Sequence, residues 1–250
     1  MIDAHTHLDV RSFEDLEKMA IAGIDYIITL AHDPYKMSAP EVYLDHWDRI
    51  INLEVKRGEI AGIKVLPGIG VHPMGFPKDW RELIKKIPEY LDKVICIGET
   101  GLHYLTKEEK NLLLEQLKIA KEYDKPIVIH TPEKNKEIAL KRILEILEEI
   151  KIDESLVMID HIDEETINLI DKDYYVGLSI QPGFKLDVKR ACEIIKNNED
   201  KKIILSSDLG SLKSDIYALP KAKLYMKKLN FDKNVIKKVV FKNAKKFYRI

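Results

Sequence analysis

Along the chain, short runs of apolar residues alternate with longer stretches in which apolar positions recur every three to four residues. The runs predict strands near 2–5, 25–30, 63–70, 94–98, 126–130, 156–160, 174–179 and 202–206. The periodic stretches predict helices near 12–22, 40–57, 79–90, 107–123, 134–150, 163–171, 187–197 and 214–229, with a last helix over 232–247. Runs such as Ile127–Ile129 and Ile203–Leu205 are apolar at consecutive positions, which suits strands covered on both faces. The least regular strand is 174–179, where Gly177 interrupts the run. Strand followed by helix, eight times over, points to a parallel sheet. Within 250 residues that repeat fits a closed (β/α)8 barrel better than an open sheet. The expected organisation is one domain over 1–250, ending in a C-terminal helix.

Local signals sharpen several helix ends. Thr106 and Glu109 have capping-box spacing ahead of Leu112–Leu114. Thr131-Pro132 reads as a cap residue before a proline at the first helical position. Asp232 can cap the last helix, with Phe231 and Ile236 at the spacing of a hydrophobic staple. Ile236, Val240, Asn243, Ala244 and Phe247 then mark one face.

Composition narrows the class. Hydrophobic residues make up 45%, as in an ordinary folded protein. The net charge of −1 argues against a broad nucleic-acid-binding face. Cys96 and Cys192 form no disulfide framework and are expected to be buried packing residues. No leader or long apolar span is evident, so a cytoplasmic location away from membranes is expected.

The chemistry lies at the ends of the apolar runs. His5 and His7 are separated by one residue, so on a strand both imidazoles point the same way. Glu99, His130, His161 and Asp208 each close a later run, and a carboxylate such as Glu99 at the end of a buried run needs a cation or several donors. In a barrel all of these share the carboxyl rim, where reactive groups gather. Asp3 is read as a partner for one ring's second N–H or as a solvated residue. His72, in Gly70-Val71-His72-Pro73, and His103, in the loop after Glu99, are candidate substrate contacts. His32 is read as a loop residue and His46 as a surface or packing residue. Lys185, Lys189, Arg190 and Lys213 lie near the seventh and eighth strand ends and could meet phosphate, but solvated surface is the expected role.

Taken together, Asp3-Ala-His5-Thr-His7-Leu-Asp9, Gly70-Val-His72-Pro73, Ile97-Gly-Glu99-Thr-Gly-Leu, Lys125-Pro-Ile-Val-Ile-His130, Asp208 and Val240-Phe-Lys-Asn-Ala-Lys-Lys-Phe247 resemble the TatD-like metal-dependent hydrolases of the amidohydrolase superfamily. The resemblance spans essentially the whole chain and implies a TIM barrel with one or two divalent metals. It implies that His5, His7, Glu99 and Asp208 hold one ion, and that Glu99 is shared with a second held by His130 and His161. Departures fall at His103, where the family usually has Asp, in Ile159-Asp160-His161-Ile162-Asp163, and after Asp208, where the usual proline is missing. They leave the metal set intact.

Nitrogen and oxygen donors without thiolate suit Zn, Mn or Mg, and the histidines tilt the choice away from Mg. The expected reaction is hydrolysis by a metal-activated water, with Asp208 as general base beside Glu99. The resemblance implies phosphodiester substrates, small or nucleic acid, as the expected class. An amidase, lactonase or deaminase acting on C–N or C–O bonds, and a non-catalytic metal-binding barrel, are the alternatives. Oligomeric state is left open.

Overall fold

A computed structural model describes residues 1–31 and 35–250. His32 lies outside the described residues. Eight strands, β1 (Ile2–Thr6), β2 (Tyr26–Thr29), β3 (Lys64–Ile69), β4 (Cys96–Gly101), β5 (Ile127–His130), β6 (Val157–Ile159), β7 (Tyr175–Ser179) and β8 (Lys202–Ser206), pair in sequence order. Each neighbouring pair is parallel. Closure comes just beyond β8: Thr6 bridges Leu209, and His7 N–H donates to the Leu209 carbonyl at 2.7 Å. The expected barrel is therefore present, and its strands are buried almost without interruption.

Ten α-helices are among the described residues: α1 (Phe13–Ile21), α2 (Pro40–Asp48), α3 (Val55–Ala61), α4 (Trp80–Tyr90), α5 (Lys107–Glu122), α6 (Lys136–Ile150), α7 (Val188–Asn197), α8 (Ala218–Lys228), α9 (Lys233–Lys237) and α10 (Asn243–Phe247). A π-helical turn, Arg49–Glu54, joins α2 to α3, and another, Lys238–Lys242, joins α9 to α10. The last helix therefore runs unbroken through these three pieces. Asp232 caps it by accepting from Asn234 N–H. Its end stops one mouth of the barrel: Phe247 and Tyr248 pack with Ile2, Ala4, Val128 and Tyr175, and Tyr248 Oη donates to the Ala4 carbonyl. Cys96 and Cys192 are buried as expected, and burial pushes both thiols up, so neither is a ready nucleophile. No helix among the described residues is long and apolar enough to cross a membrane.

Two expectations fail. No helix covers 163–171; a single 3-10 turn, Ile167–Leu169, stands there. Asp163 accepts from Thr166 N–H and Oγ1, closing a local turn that competes with helix growth. Thr131-Pro132 does not start α6 either, because that helix begins at Lys136 behind a left-handed Asn135. Thr131 Oγ1 instead donates to the Asp160 carbonyl at 2.8 Å, tying β5 to the end of β6.

Candidate metal centre

The strand ends deliver their side chains to one point. His5 stands in β1 and His7 just after it. Glu99 is in β4, His130 ends β5, His161 follows β6, and Asp208 follows β8. All six are at least nine-tenths buried. Barrel closure sets Asp208 opposite the first strand, since its N–H donates to the His5 carbonyl at 3.0 Å.

Glu99 is the hub. Its Oε2 lies 3.2 Å from His5 Nε2 and 3.7 Å from His7 Nε2. Its Oε1 lies 2.8 Å from both His130 Nδ1 and His161 Nε2. Asp208 Oδ1 stands 3.6 Å from His5 Nε2 and 3.5 Å from His7 Nε2, and the two imidazole nitrogens are 3.3 Å apart. A tetrahedral ion with ligands at about 2.0–2.2 Å separates its donors by roughly 3.3–3.6 Å. The five measured separations among His5, His7, Glu99 and Asp208 thus suit a cation-binding cage. The 2.8 Å contacts of Glu99 Oε1 are of hydrogen-bond length, and the same three donors could turn to a second ion. His72, also fully buried, brings Nε2 to 3.5 Å from Glu99 Oε2.

Burial alone would raise the Glu99 carboxyl, but the imidazoles of His5, His72 and His130 outweigh it and hold it well below the usual carboxylate range. Asp208 is likewise pushed up by burial and pulled well down by Lys185, His7 and His5. Burial lowers His130 far below the ordinary histidine value, despite Glu99. Burial lowers His5 too, but Glu99 and Asp160 outweigh it and hold its pKa well above the ordinary histidine value, so the cluster sets ionised carboxylates directly against imidazoles.

Supporting groups fix the rings. Asp160, absent from the predicted site, takes His5 Nδ1 at 2.6 Å. A carboxylate only accepts, so the proton sits on Nδ1 and Nε2 is left facing the cluster. Asp160 also accepts from His161 N–H at 2.7 Å and Ser179 Oγ at 3.2 Å, while Ser179 meets His161 Nδ1. The signal that found Glu99, a carboxylate at the end of a buried run, applies equally to Asp160. His161 and Asp208 both hold left-handed backbone, at φ +61 and +48, and such strained positions gather at functional sites. Lys136 donates to the His161 carbonyl at 2.7 Å and steadies that bend.

Asp3 takes neither expected role. It is buried and accepts from Ser207 N–H at 2.9 Å, and burial raises its pKa to about 6 despite Ser207. The capping box is present and does more than end a helix: Glu109 accepts from the N–H groups of His103, Tyr104 and Leu105, shaping the loop that carries His103. His103 Nδ1 reaches His130 Nε2 at 3.0 Å. Gln116 of α5 likewise pins the segment before His72, bonding Val71 N–H and Thr100. His72 and His103 both line a cavity of about 280 Å³ over the cluster. His46 lies on α2, buried near Asp9, outside that cavity.

Among the four basic residues expected on solvated surface, Lys189 and Lys213 are exposed and Arg190 pairs with Glu164. Lys185 departs from the expectation. Its side chain is 15% exposed and meets Asp208 Oδ2 inside the cavity. The Pro182-Gly183 turn, with Gly183 at φ +91, doubles the chain back and carries it inward.

A parallel eight-stranded barrel with imidazoles and carboxylates converging at its carboxyl rim defines a metal-dependent hydrolase. The family model described as TatD related DNase matches residues 2–249. The chain belongs to that family. It is 69% identical over 252 residues to an uncharacterized metal-dependent hydrolase of Methanocaldococcus jannaschii, with 100% of both chains covered. A TatD-like protein from Archaeoglobus fulgidus superposes over 100% of both chains, with a TM-score of 0.87 and 30% identity. The phosphotriesterase homology protein of Escherichia coli, solved with phosphate in its active site, covers 99% of this chain and 98% of its own at a TM-score of 0.74. At 17% identity that likeness speaks for the fold alone.

Proposed function

We propose that the chain hydrolyses phosphodiester bonds at one or two divalent ions held by His5, His7, Glu99, His130, His161 and Asp208. One observation carries the reading: Glu99 turns one oxygen toward His5 and His7 and the other toward His130 and His161. His5, His7, Glu99 and Asp208 would hold one ion; His130 and His161 would hold a second with Glu99 between. When bound, the ions lower the pKa of a coordinated water toward about 7 and offset charge on the ester. The mixed nitrogen and oxygen donors favour Zn or Mn over Mg.

The chain's own groups supply the rest. Asp208, ionised and facing the cavity, accepts the proton released by the attacking water. Asp160 keeps His5 in the tautomer that presents Nε2. His72 and His103 stand where the scissile group or leaving oxygen would lie. The family description favours nucleic-acid esters. The small cavity and the net charge of −1 suit a chain end or a small diester better than a duplex bound along its length.

The test uses purified protein with Mn²⁺, bis-p-nitrophenyl phosphate and single-stranded DNA. Wild type should cleave at least one of them. Glu99→Ala should lose both bound metal and turnover by a factor of at least 10³. Undiminished hydrolysis in that variant would refute the proposal.

A further inference from the structure

Lys185 is the one cation of this chain built into the wall of the catalytic cavity, among the described residues. Its backbone is fixed by a tight turn: Phe184 N–H and Lys185 N–H both donate to the Gln181 carbonyl, at 3.1 and 2.8 Å. α7 starts three residues later, with Asp187 as its cap. The side chain then reaches into the site, where Nζ meets Asp208 Oδ2 and lies 3.2 Å from His161 Nε2. Asp208 therefore divides its oxygens. Oδ1 faces the His5–His7 pair, and Oδ2 faces Lys185 on the cavity side.

A nearly buried ammonium is costly unless anions surround it. The Asp208 carboxylate, in direct contact with the amine, and Glu99 in the same cavity supply those anions. An ammonium has three N–H donors and no acceptor. Asp208 and His161 account for two at most, which leaves one for whatever enters the cavity. That cavity is otherwise lined on its outer side by His103, Glu133, Phe184 and Leu212, none of which carries a fixed positive charge. Packing and surface exposure explain Lys189 and Lys213; they do not explain why a lysine is drawn into a dense cluster of carboxylates and imidazoles.

We propose that Lys185 is the anion anchor of this site, donating to a non-bridging phosphoryl oxygen of the substrate and so selecting esters that carry negative charge at the reacting centre. The assignment rests on the phosphodiester reading above, yet the two can fail separately.

The experiment compares wild type, Lys185→Met and Lys185→Arg, each loaded with Mn²⁺ and assayed for metal content by elemental analysis. Inorganic phosphate is titrated calorimetrically into each, and kcat and KM are measured with bis-p-nitrophenyl phosphate. Equal metal content is expected in all three. Lys185→Met should weaken phosphate binding at least tenfold and raise KM by a similar factor, with a smaller change in kcat. Lys185→Arg should restore most of the affinity. The anchor is overturned by wild-type phosphate affinity in Lys185→Met, by no phosphate binding in wild type, or by loss of metal from Lys185→Met, which would make the lysine a support of Asp208 only. Wild type that binds phosphate through Lys185 but cleaves no phosphodiester would keep the anchor and reject the proposed reaction.

Discussion

Gly177→Ala should disable the metal centre from a position that touches none of its ligands. Gly177 is in the middle of β7, paired with Ile204 and buried. A Cβ built there would stand 2.1 Å from Asp160 Oδ1 and 2.7 Å from its Cγ. Ordinary contact needs more than 3 Å, so the Asp160 carboxylate must move by about 1 Å or rotate away. It has nowhere to go without loss, since it is held by His5 Nδ1 at 2.6 Å and His161 N–H at 2.7 Å. Each charged hydrogen bond lost costs roughly 1.5–3 kcal/mol. A ligand histidine that loses its orienting carboxylate typically costs 10–100-fold in metal affinity. Backbone propensity alone predicts the opposite sign, because alanine replaces glycine in regular structure with a gain of roughly 0.5–1 kcal/mol.

Competition titration with a chromophoric chelator measures the affinity, and thermal unfolding measures the stability. For a chain of this size 1.5–3 kcal/mol corresponds to a fall in Tm of roughly 3–12 °C. The decisive comparison is a double-mutant cycle with Asp160→Ala, which removes the Oδ1 and Cγ atoms a Cβ would strike and leaves only the Cα, at 3.1 Å. In that background Gly177→Ala should have a much smaller effect. Wild-type metal affinity in Gly177→Ala, or an undiminished effect when Asp160 is already alanine, would refute the steric argument.

Two further outcomes follow from other parts of the chain. His46 is buried and its pKa is lowered to about 4 by burial, against a partial opposing pull from Asp9. Its unfolded value is near 6.5, so between pH 6.5 and 4 the unfolded chain takes up a proton that the folded chain refuses, and stability falls as pH falls. The loss is roughly 3 kcal/mol at most, all of it below pH 6.5. Urea midpoints at pH 7 and 4.5 should therefore differ less in His46→Gln than in wild type; an equal difference would exclude His46 as the source. Phe247→Ala removes a ring that is 1% exposed and 5.0 Å from Tyr175 at the stoppered mouth of the barrel. It should cost about 3–5 kcal/mol while leaving metal affinity unchanged, and a comparable loss of metal would mean that the two ends of the barrel are coupled.

The barrel could be read from the chain because doubly covered strands leave short, continuous apolar runs, here repeated eight times in alternation with helical stretches. The ligands could be read because each polar residue closing such a run has the same rim to occupy. What could not be read was set by contacts between runs. Gly177 looked like a flaw in a strand, yet it is the clearance for Asp160, a residue from the neighbouring strand end. Asp160 carries the same strand-end signal as Glu99, but its neighbour competes with it: on a straight strand adjacent side chains point oppositely, and the left-handed turn at His161 lets both serve one site. Lys185 precedes a helix of exposed lysine and arginine, so its pattern is that of surface, and the glycine turn that aims it inward has no periodicity to reveal it. Asp163 and Thr166 stopped a helix whose apolar spacing was correct, because a local side-chain hydrogen bond offered the backbone a shorter solution. The ligand types therefore came from residue identity at strand ends, whereas the groups that orient them and face the substrate came from closure of the barrel. Substitutions at Asp160, Gly177 and Lys185 should accordingly separate metal binding from substrate recognition in a way that substitutions of the ligands themselves cannot.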